Sequence, residues 1–188
     1  LMYDQLPWAM RCKFVLPSSV FGIEDHLTKY LLILRLALAE KNITYIATAN
    51  PSTLILLTEL LHRHREELLL SVETGVWLCD RPLSAPVAQA VKRKLKANPA
   101  RAGELRALFA TRERLALRDI WPHLALLATW TGGNCRIPLS AVTTQLSAQT
   151  ALMDLGFLAS ECRLTLTLEA NTPAGLPLFQ DHFFEFVE

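Results

Sequence analysis

Leu124-Ala125-Leu126-Leu127-Ala128-Thr129-Trp130 is a continuous apolar run that stops at Thr131-Gly132-Gly133-Asn134. A strand covered on both faces reads this way, because neither side of its pleat meets water. Such strands belong to sheets flanked by helices. This run therefore constrains the chain to an α/β fold, with helices packed on a mostly buried mixed sheet. The rest of the chain agrees. Hydrophobic residues make up 51% and charged residues 20% of 188 residues, too apolar for a disordered chain. A chain of this size buries roughly 70% of its unfolded surface without needing disulfides or metals. The expectation is a single domain over 1–188, or a piece of a larger one.

The helices announce themselves by spacing and punctuation. Leu27, Tyr30, Leu31, Leu34 and Leu38 place a largely buried helix at Glu24 to Lys41. Ile43 to Thr48 is β-branched, aromatic and of strand length. Asn50 and Pro51 suit the N-cap and first turn of a helix that carries Leu54, Leu57, Leu60 and Leu61. A second helix, Glu66 to Thr74, ends on Gly75 as its C-cap. Ala85 to Ala97 and Ala102 to Leu117 read as amphipathic helices divided by Asn98-Pro99. Towards the end the pattern predicts strands at Leu155 to Ala159, Leu164 to Leu168 and Phe183 to Val187, with a turn at Asn171 to Gly175. The chain opens on Leu1 and stops just after that last strand, which leads us to expect a piece cut from a longer protein.

Charge and cysteine usage exclude several functions. The net charge is +1, but residues 81–118 hold 10 basic and 2 acidic residues. Within them Lys92-Arg93-Lys94-Leu95-Lys96 is read as a solvated helix face. Polyanion binding there is the competing reading, and we expect no nucleic-acid partner. His62 and His64, two residues apart, do not share a helix face, so a metal pair is not expected. Cys12, Cys79, Cys135 and Cys162 lie too far apart for a short metal-ligand pair. No signal peptide opens the chain, and free thiols in the cytoplasm are expected. The most apolar window, Tyr30 to Ala39, is about half of the ~20 residues a membrane span needs, and Arg35 interrupts it.

In open α/β sheets ligands sit at the carboxyl ends of strands. Three loops qualify: Ala49 to Thr53, Thr131 to Asn134, and Ala159 to Cys162. The third offers a small residue, a hydroxyl and a carboxylate in a row, Ala159-Ser160-Glu161. A small residue lets a ligand approach the backbone. A hydroxyl binds phosphate oxygens, and a carboxylate holds Mg²⁺ that bridges to phosphates. Phe157 presents a ring on which a base can stack.

The order of segments adds to this. Gly156-Phe157-Leu158-Ala159-Ser160-Glu161-Cys162, then Leu164 to Leu168, then Phe183-Phe184-Glu185-Phe186, resembles the Gretchen Hagen auxin-responsive promoter family. These are acyl acid amido synthetases of the adenylate-forming superfamily. Tyr30 to Glu40, Thr44 to Leu61, Asp119-Ile120-Trp121-Pro122 and Trp130-Thr131-Gly132-Gly133 fall in the family's order, closest to its bacterial branch. The resemblance covers nearly the whole chain but only the central part of a family member. It implies a segment of the large N-terminal domain of an enzyme that activates a carboxylic acid with ATP and Mg²⁺. The acyl group then passes to an amine such as an amino acid.

By this resemblance Phe157 lies beside adenine, Ala159 fills the small position, Ser160 contacts the α-phosphate and Glu161 binds Mg²⁺. Thr131 and Gly132 match a loop bordering the acyl pocket, and Phe183 and Phe184 a strand walling the nucleotide pocket. The family motif has Tyr where Phe157 stands, so the ring is kept and a hydroxyl lost. The family's phosphate-binding loop, ribose-holding Asp motif and C-terminal lid with its Lys are not in this sequence. Adenylation needs preorganised donors around the α-phosphate. The expectation is that the 188 residues alone bind ATP weakly and turn nothing over. The alternative is a non-catalytic binding module that keeps the fold. Oligomeric state is left open.

Overall fold

The computed structural model describes residues 7, 9, 13–77, 80–159, 161–180 and 183–185. The chain divides into two compact units, Leu1–Ile43 with Leu56–Pro122, and Thr44–Ile55 with His123–Glu188.

The first unit is helical. A short 3₁₀ turn, Ser18–Gly22, precedes α1, His26–Ala39. Asp25 caps α1: its carboxylate accepts the Thr28 N–H at 2.8 Å. Leu31, Leu32, Leu34, Leu36 and Leu38 are all buried, so α1 is the central helix of the unit. Helix α2, Ser52–Arg63, begins in the second unit and runs into the first. Then come α3, Arg65–Thr74, α4, Ala85–Val91, α5, Pro99–Thr111, and the single turn α6, Leu117–Ile120. Helix α3 packs on both α1 and α5. Val20, Leu32, Leu36, Val87 and Val91 form one buried cluster, with Trp77, Leu83 and Leu95 packed against it.

The guanidinium of Arg101 ties the unit together. It donates to the carbonyls of Leu38 at 3.1 Å and Ile120 at 2.6 Å and to Glu104 at 3.0 Å. Free carbonyls at helix C-termini are the groups most in need of such donors.

Two helix expectations are corrected here. The helix expected over 85–97 ends at Val91, and the one expected over 102–117 starts at Pro99 and ends at Thr111. Tertiary packing overrides local propensity. The Lys94 and Leu95 N–H groups both turn back to the Val91 carbonyl, and the Asn98 N–H reaches Val72 at 2.8 Å. The backbone is thereby laid against Gly75, where a Cβ would stand 2.5 Å from the Ala97 nitrogen. Asn98 then caps α5, accepting the Arg101 N–H at 3.1 Å. The basic run therefore lies on a turn, with Lys92, Arg93, Lys94 and Lys96 exposed and Leu95 half-buried.

The second unit is built on a parallel sheet. Strands β1, Tyr45–Ala47, β2, Leu126–Thr129, and β3, Ala151–Asp154, pair in the order β1-β2-β3. The register sets Ala47 opposite Ala128 and Thr129 opposite Asp154, so all three carboxyl ends meet one edge. The central strand is the apolar run, with Leu127, Ala128 and Thr129 buried. Helix α7, Arg136–Thr143, follows β2 after a 3₁₀ turn, Gly133–Cys135. Its eight residues bury Leu139 and Val142, which lie three apart on one face. A two-stranded antiparallel sheet joins β4, Thr165–Leu166, to β5, Leu176–Pro177.

The strand expected over 155–159 is also corrected: β3 ends at Asp154. Gly156 takes the left-handed φ of 78° and turns the chain out of the sheet. Residues 157–159 turn back against 162–165. The Leu164 N–H reaches the Phe157 carbonyl at 2.9 Å, and the Ala159 N–H reaches Cys162 at 2.9 Å. Of the strand expected over 183–187, residues 183–185 are not in a strand, and 186–187 lie outside the described residues.

Candidate functional site

The carboxyl edge of the parallel sheet gathers three loops. The β1 loop is tied to β2: the Trp130 N–H and Thr129 hydroxyl both donate to the Ala49 carbonyl, at 3.1 and 3.2 Å. Asn50 then orders the start of α2, accepting the Ser52 N–H at 3.0 Å and its hydroxyl at 2.8 Å. The β2 loop begins at Thr131, which is half-buried, while Gly132 is exposed. The Thr131 N–H and hydroxyl both donate to Asp154 Oδ2, at 2.7 and 2.6 Å.

Beside this turn lies an open cleft of about 390 Å³. Its walls are residues 131–133, Arg136, Leu139, Leu152 and 171–173. Asn171 belongs to the wall because it pairs with the free edge of β3. Its N–H donates to the Leu152 carbonyl at 2.6 Å and its Oδ1 accepts the Leu152 N–H at 2.9 Å. Among the described residues of the lining, the exposed Arg136 is the one charged side chain, and Leu139, Leu152 and Pro173 are its apolar members. A cation at the rim of a partly apolar cleft suits a small anion with an apolar body.

Of the residues singled out in the sequence, Thr131 and Gly132 come together on this cleft. Phe157, Ala159 and Glu161 are not in its lining; they sit on the hairpin that leaves the sheet just past the carboxyl end of β3. Phe157 is 65% exposed, Ala159 is half-buried and Glu161 is exposed at the turn of the hairpin. Ser160 lies outside the described residues. Phe183 is exposed, and Phe184 meets Phe179 edge to face at 5.2 Å.

Asp154, Arg136 and 171–173 were not found from the sequence. No local spacing links them, and only strand pairing brings them to one edge.

Among the described residues no group of three or more His, Cys, Asp and Glu side chains could hold a metal ion. Glu161 is a single exposed carboxylate. A lone carboxylate holds Mg²⁺ only where phosphate oxygens and water complete the coordination. His64 faces Glu67 at 3.2 Å, while His62 packs on Phe109, so the two imidazoles serve different contacts. No helix among the described residues is long and apolar enough to cross a membrane.

The comparisons with known proteins agree with this architecture. No curated protein matches the chain. Among solved structures, the GH3.15 acyl acid amido synthetase is similar with a TM-score of 0.68 and 21% identity, over 81% of this chain and 28% of its own. The AtGH3.15 acyl acid amido synthetase in complex with 2,4-DB is similar with a TM-score of 0.64 and 19% identity, over 76% of this chain and 25% of its own. The chain thus spans about a quarter of the length of these structures, and the likeness establishes the α/β fold. The model of the GH3 family N-terminal domain matches residues 2–143, three quarters of the sequence, and the chain belongs to the GH3 family.

Proposed function

We propose that the chain is part of the large N-terminal domain of an acyl acid amido synthetase that works in the cytoplasm. The enzyme would adenylate a small carboxylic acid and pass the acyl group to an amine such as an amino acid. The reading is carried by one observation: the cleft at the carboxyl edge of the parallel sheet is bordered by Thr131 and Gly132, in a chain of the GH3 family. A relative of like fold holds 2,4-DB. By that likeness we place the acid in this cleft. Leu139, Leu152 and Pro173 offer its apolar body a wall, and Arg136 offers its carboxylate a cation.

We assign the nucleotide to the hairpin that follows β3. Phe157 would stack on the base. Ala159 leaves the backbone open to approach, and Ser160 would donate to the α-phosphate. Glu161 would hold Mg²⁺, which when bound neutralises charge on the phosphates. The 188 residues span about a quarter of the related structures, so we infer that they do not complete a turnover alone.

The test is acid-dependent exchange of pyrophosphate into ATP by the full-length protein, run over a panel of small carboxylic acids. Glu161→Ala is expected to lower exchange on the order of a hundredfold or more, the scale of losing one preorganised electrostatic partner. Wild-type protein that exchanges no pyrophosphate with any acid overturns the reading.

A further inference from the structure

Three donors converge on one buried side chain at the carboxyl edge of the sheet. Asp154, the last residue of β3, is 8% exposed. Its Oδ2 accepts the N–H and the hydroxyl of Thr131, at 2.7 and 2.6 Å. Its Oδ1 accepts the Gly156 N–H at 2.7 Å. A carboxylate taken this far from water needs such donors, and charge-assisted hydrogen bonds are the strong ones.

The geometry also joins two loops. Thr131 opens the turn that walls the cleft. Gly156 is the pivot from which the 157–165 hairpin departs. That pivot has little slack: a Cβ on Gly156 would stand 2.5 Å from the Thr165 carbonyl oxygen. The Phe157 N–H is held in turn by the Thr165 hydroxyl at 2.7 Å.

We infer that Asp154 is the positioning residue that fixes the Thr131 turn and the 157–165 hairpin to one another. What each loop binds rests on the proposed synthetase reading; the link itself rests on the three hydrogen bonds. If the reading holds, one side chain sets the spacing between the acid and the nucleotide. Only a carboxylate serves here. An amide has one oxygen, and its NH₂ would face the N–H of either Thr131 or Gly156.

The test uses the full-length protein and the variants Asp154→Ala, Thr131→Val and Thr131→Ser. The first readout is deuterium exchange of the amides in 130–133 and 155–158. Asp154→Ala should speed both segments. Thr131→Val removes one donor and leaves Asp154 in place. It should speed 155–158 as well as 130–133, because a carboxylate with one restraint gone holds Gly156 less firmly. Thr131→Ser keeps the hydroxyl and should exchange like wild type. Faster exchange confined to 130–133 in Thr131→Val overturns the link, and that variant decides the matter if Asp154→Ala does not fold.

The second readout is pyrophosphate exchange. Misplacement by an ångström costs on the order of a hundredfold, so Asp154→Ala should raise the KM for acid and the KM for ATP together, each roughly tenfold or more. A lower Tm with both KM values unchanged would make Asp154 a purely structural residue. If wild-type protein shows no acid-dependent exchange, the synthetase reading falls and deuterium exchange alone judges the link.

Discussion

Arg35 Nε donates to Ser71 Oγ at 2.8 Å with both residues out of water, 0% and 2% exposed. The Ser71 hydroxyl donates in turn to the Val76 carbonyl at 2.6 Å. Arg35 Nη2 reaches the Lys96 carbonyl at 3.1 Å, and Nη1 has no hydrogen-bond partner among the described residues. Burial pulls the guanidinium pKa down to about 10, so the group stays charged at neutral pH. A buried cation bonded only to neutral groups is a net burden on the fold, although it orders the turn around Gly75. Arg35→Ala should destabilise by about 3 kcal/mol, since it leaves a void and two unpaired oxygens. Arg35→Met fills the void but leaves the same two oxygens without a donor, so it should recover only part of the loss and stay about 1–2 kcal/mol below wild type. Urea unfolding separates the two, and a Met variant as unstable as the Ala variant would show that the lost hydrogen bonds, not the void, carry the cost.

Gly75 and Gly103 should respond to alanine with opposite signs. Gly75 caps α3 at φ 77°, and an added Cβ would meet the Ala97 nitrogen at 2.5 Å and the Lys96 carbonyl carbon at 2.8 Å. Left-handed strain plus that collision should cost about 2–3 kcal/mol. Gly103 is an exposed interior position of α5 with open space where its Cβ would go. Gly103→Ala should stabilise by roughly 0.5–1 kcal/mol, by removing freedom from the unfolded chain. Thermal melts of the two variants report the signs. A neutral Gly75→Ala would mean that the 96–97 backbone yields.

Glu104 should steepen the loss of stability in acid. Its carboxylate accepts Lys41 Nζ at 3.1 Å and Arg101 Nη1 at 3.0 Å. Those two hydrogen bonds, Lys41 first, hold its pKa below the usual 4.5. The folded pKa thus lies below the unfolded one, and the unfolded chain takes up its proton first as pH falls. The contribution is present above pH 4.5 and is lost as pH drops through the folded value. Melting temperature against pH below 4.5 should fall less steeply in Glu104→Gln than in wild type. At neutral pH the variant should melt slightly below wild type, a small gap because exposed ion pairs contribute little, and the gap should close as pH falls through the folded value. Parallel curves for the two proteins would rule the contribution out.

These outcomes also mark where the fold is legible in the sequence. Asn50, Pro51 and Gly75 act within a few residues of themselves, and each caps or opens a helix as its local chemistry demands. The Leu124 to Trp130 run shows its burial in its composition, and it is the central strand. Legibility stops where a distant partner decides. Two apolar stretches lie side by side at 151–154 and 155–159, and spacing does not choose between them. The choice of 151–154 is made by pairing with β2 and by Asp154, whose partner Thr131 is 23 residues away. The basic run looked helical because nothing in it reveals that Gly75 has left room for the 96–97 backbone. The same holds for the candidate site. Thr131 and Gly132 are visible as a turn after a buried strand, whereas Arg136 and Asn171 come to line one cleft only once the sheet has formed.

Phe157 offers the sharpest separation of binding from stability. Its ring is 65% exposed, so it contributes little to any core. Its place is set by its backbone, through the Thr165 hydroxyl on its N–H and the Leu164 N–H on its carbonyl. If the ring stacks on a nucleotide base as proposed, it supplies about 1–3 kcal/mol of affinity. Phe157→Ala in the full-length protein should then raise the KM for ATP by about tenfold or more. The KM for the acid and the melting temperature should stay near wild type. Phe157→Tyr keeps the ring and should bind ATP like wild type. A Phe157→Ala protein that melts early with its ATP kinetics intact would place the ring in a hydrophobic contact instead, and would shift the search for the base to another surface of the hairpin.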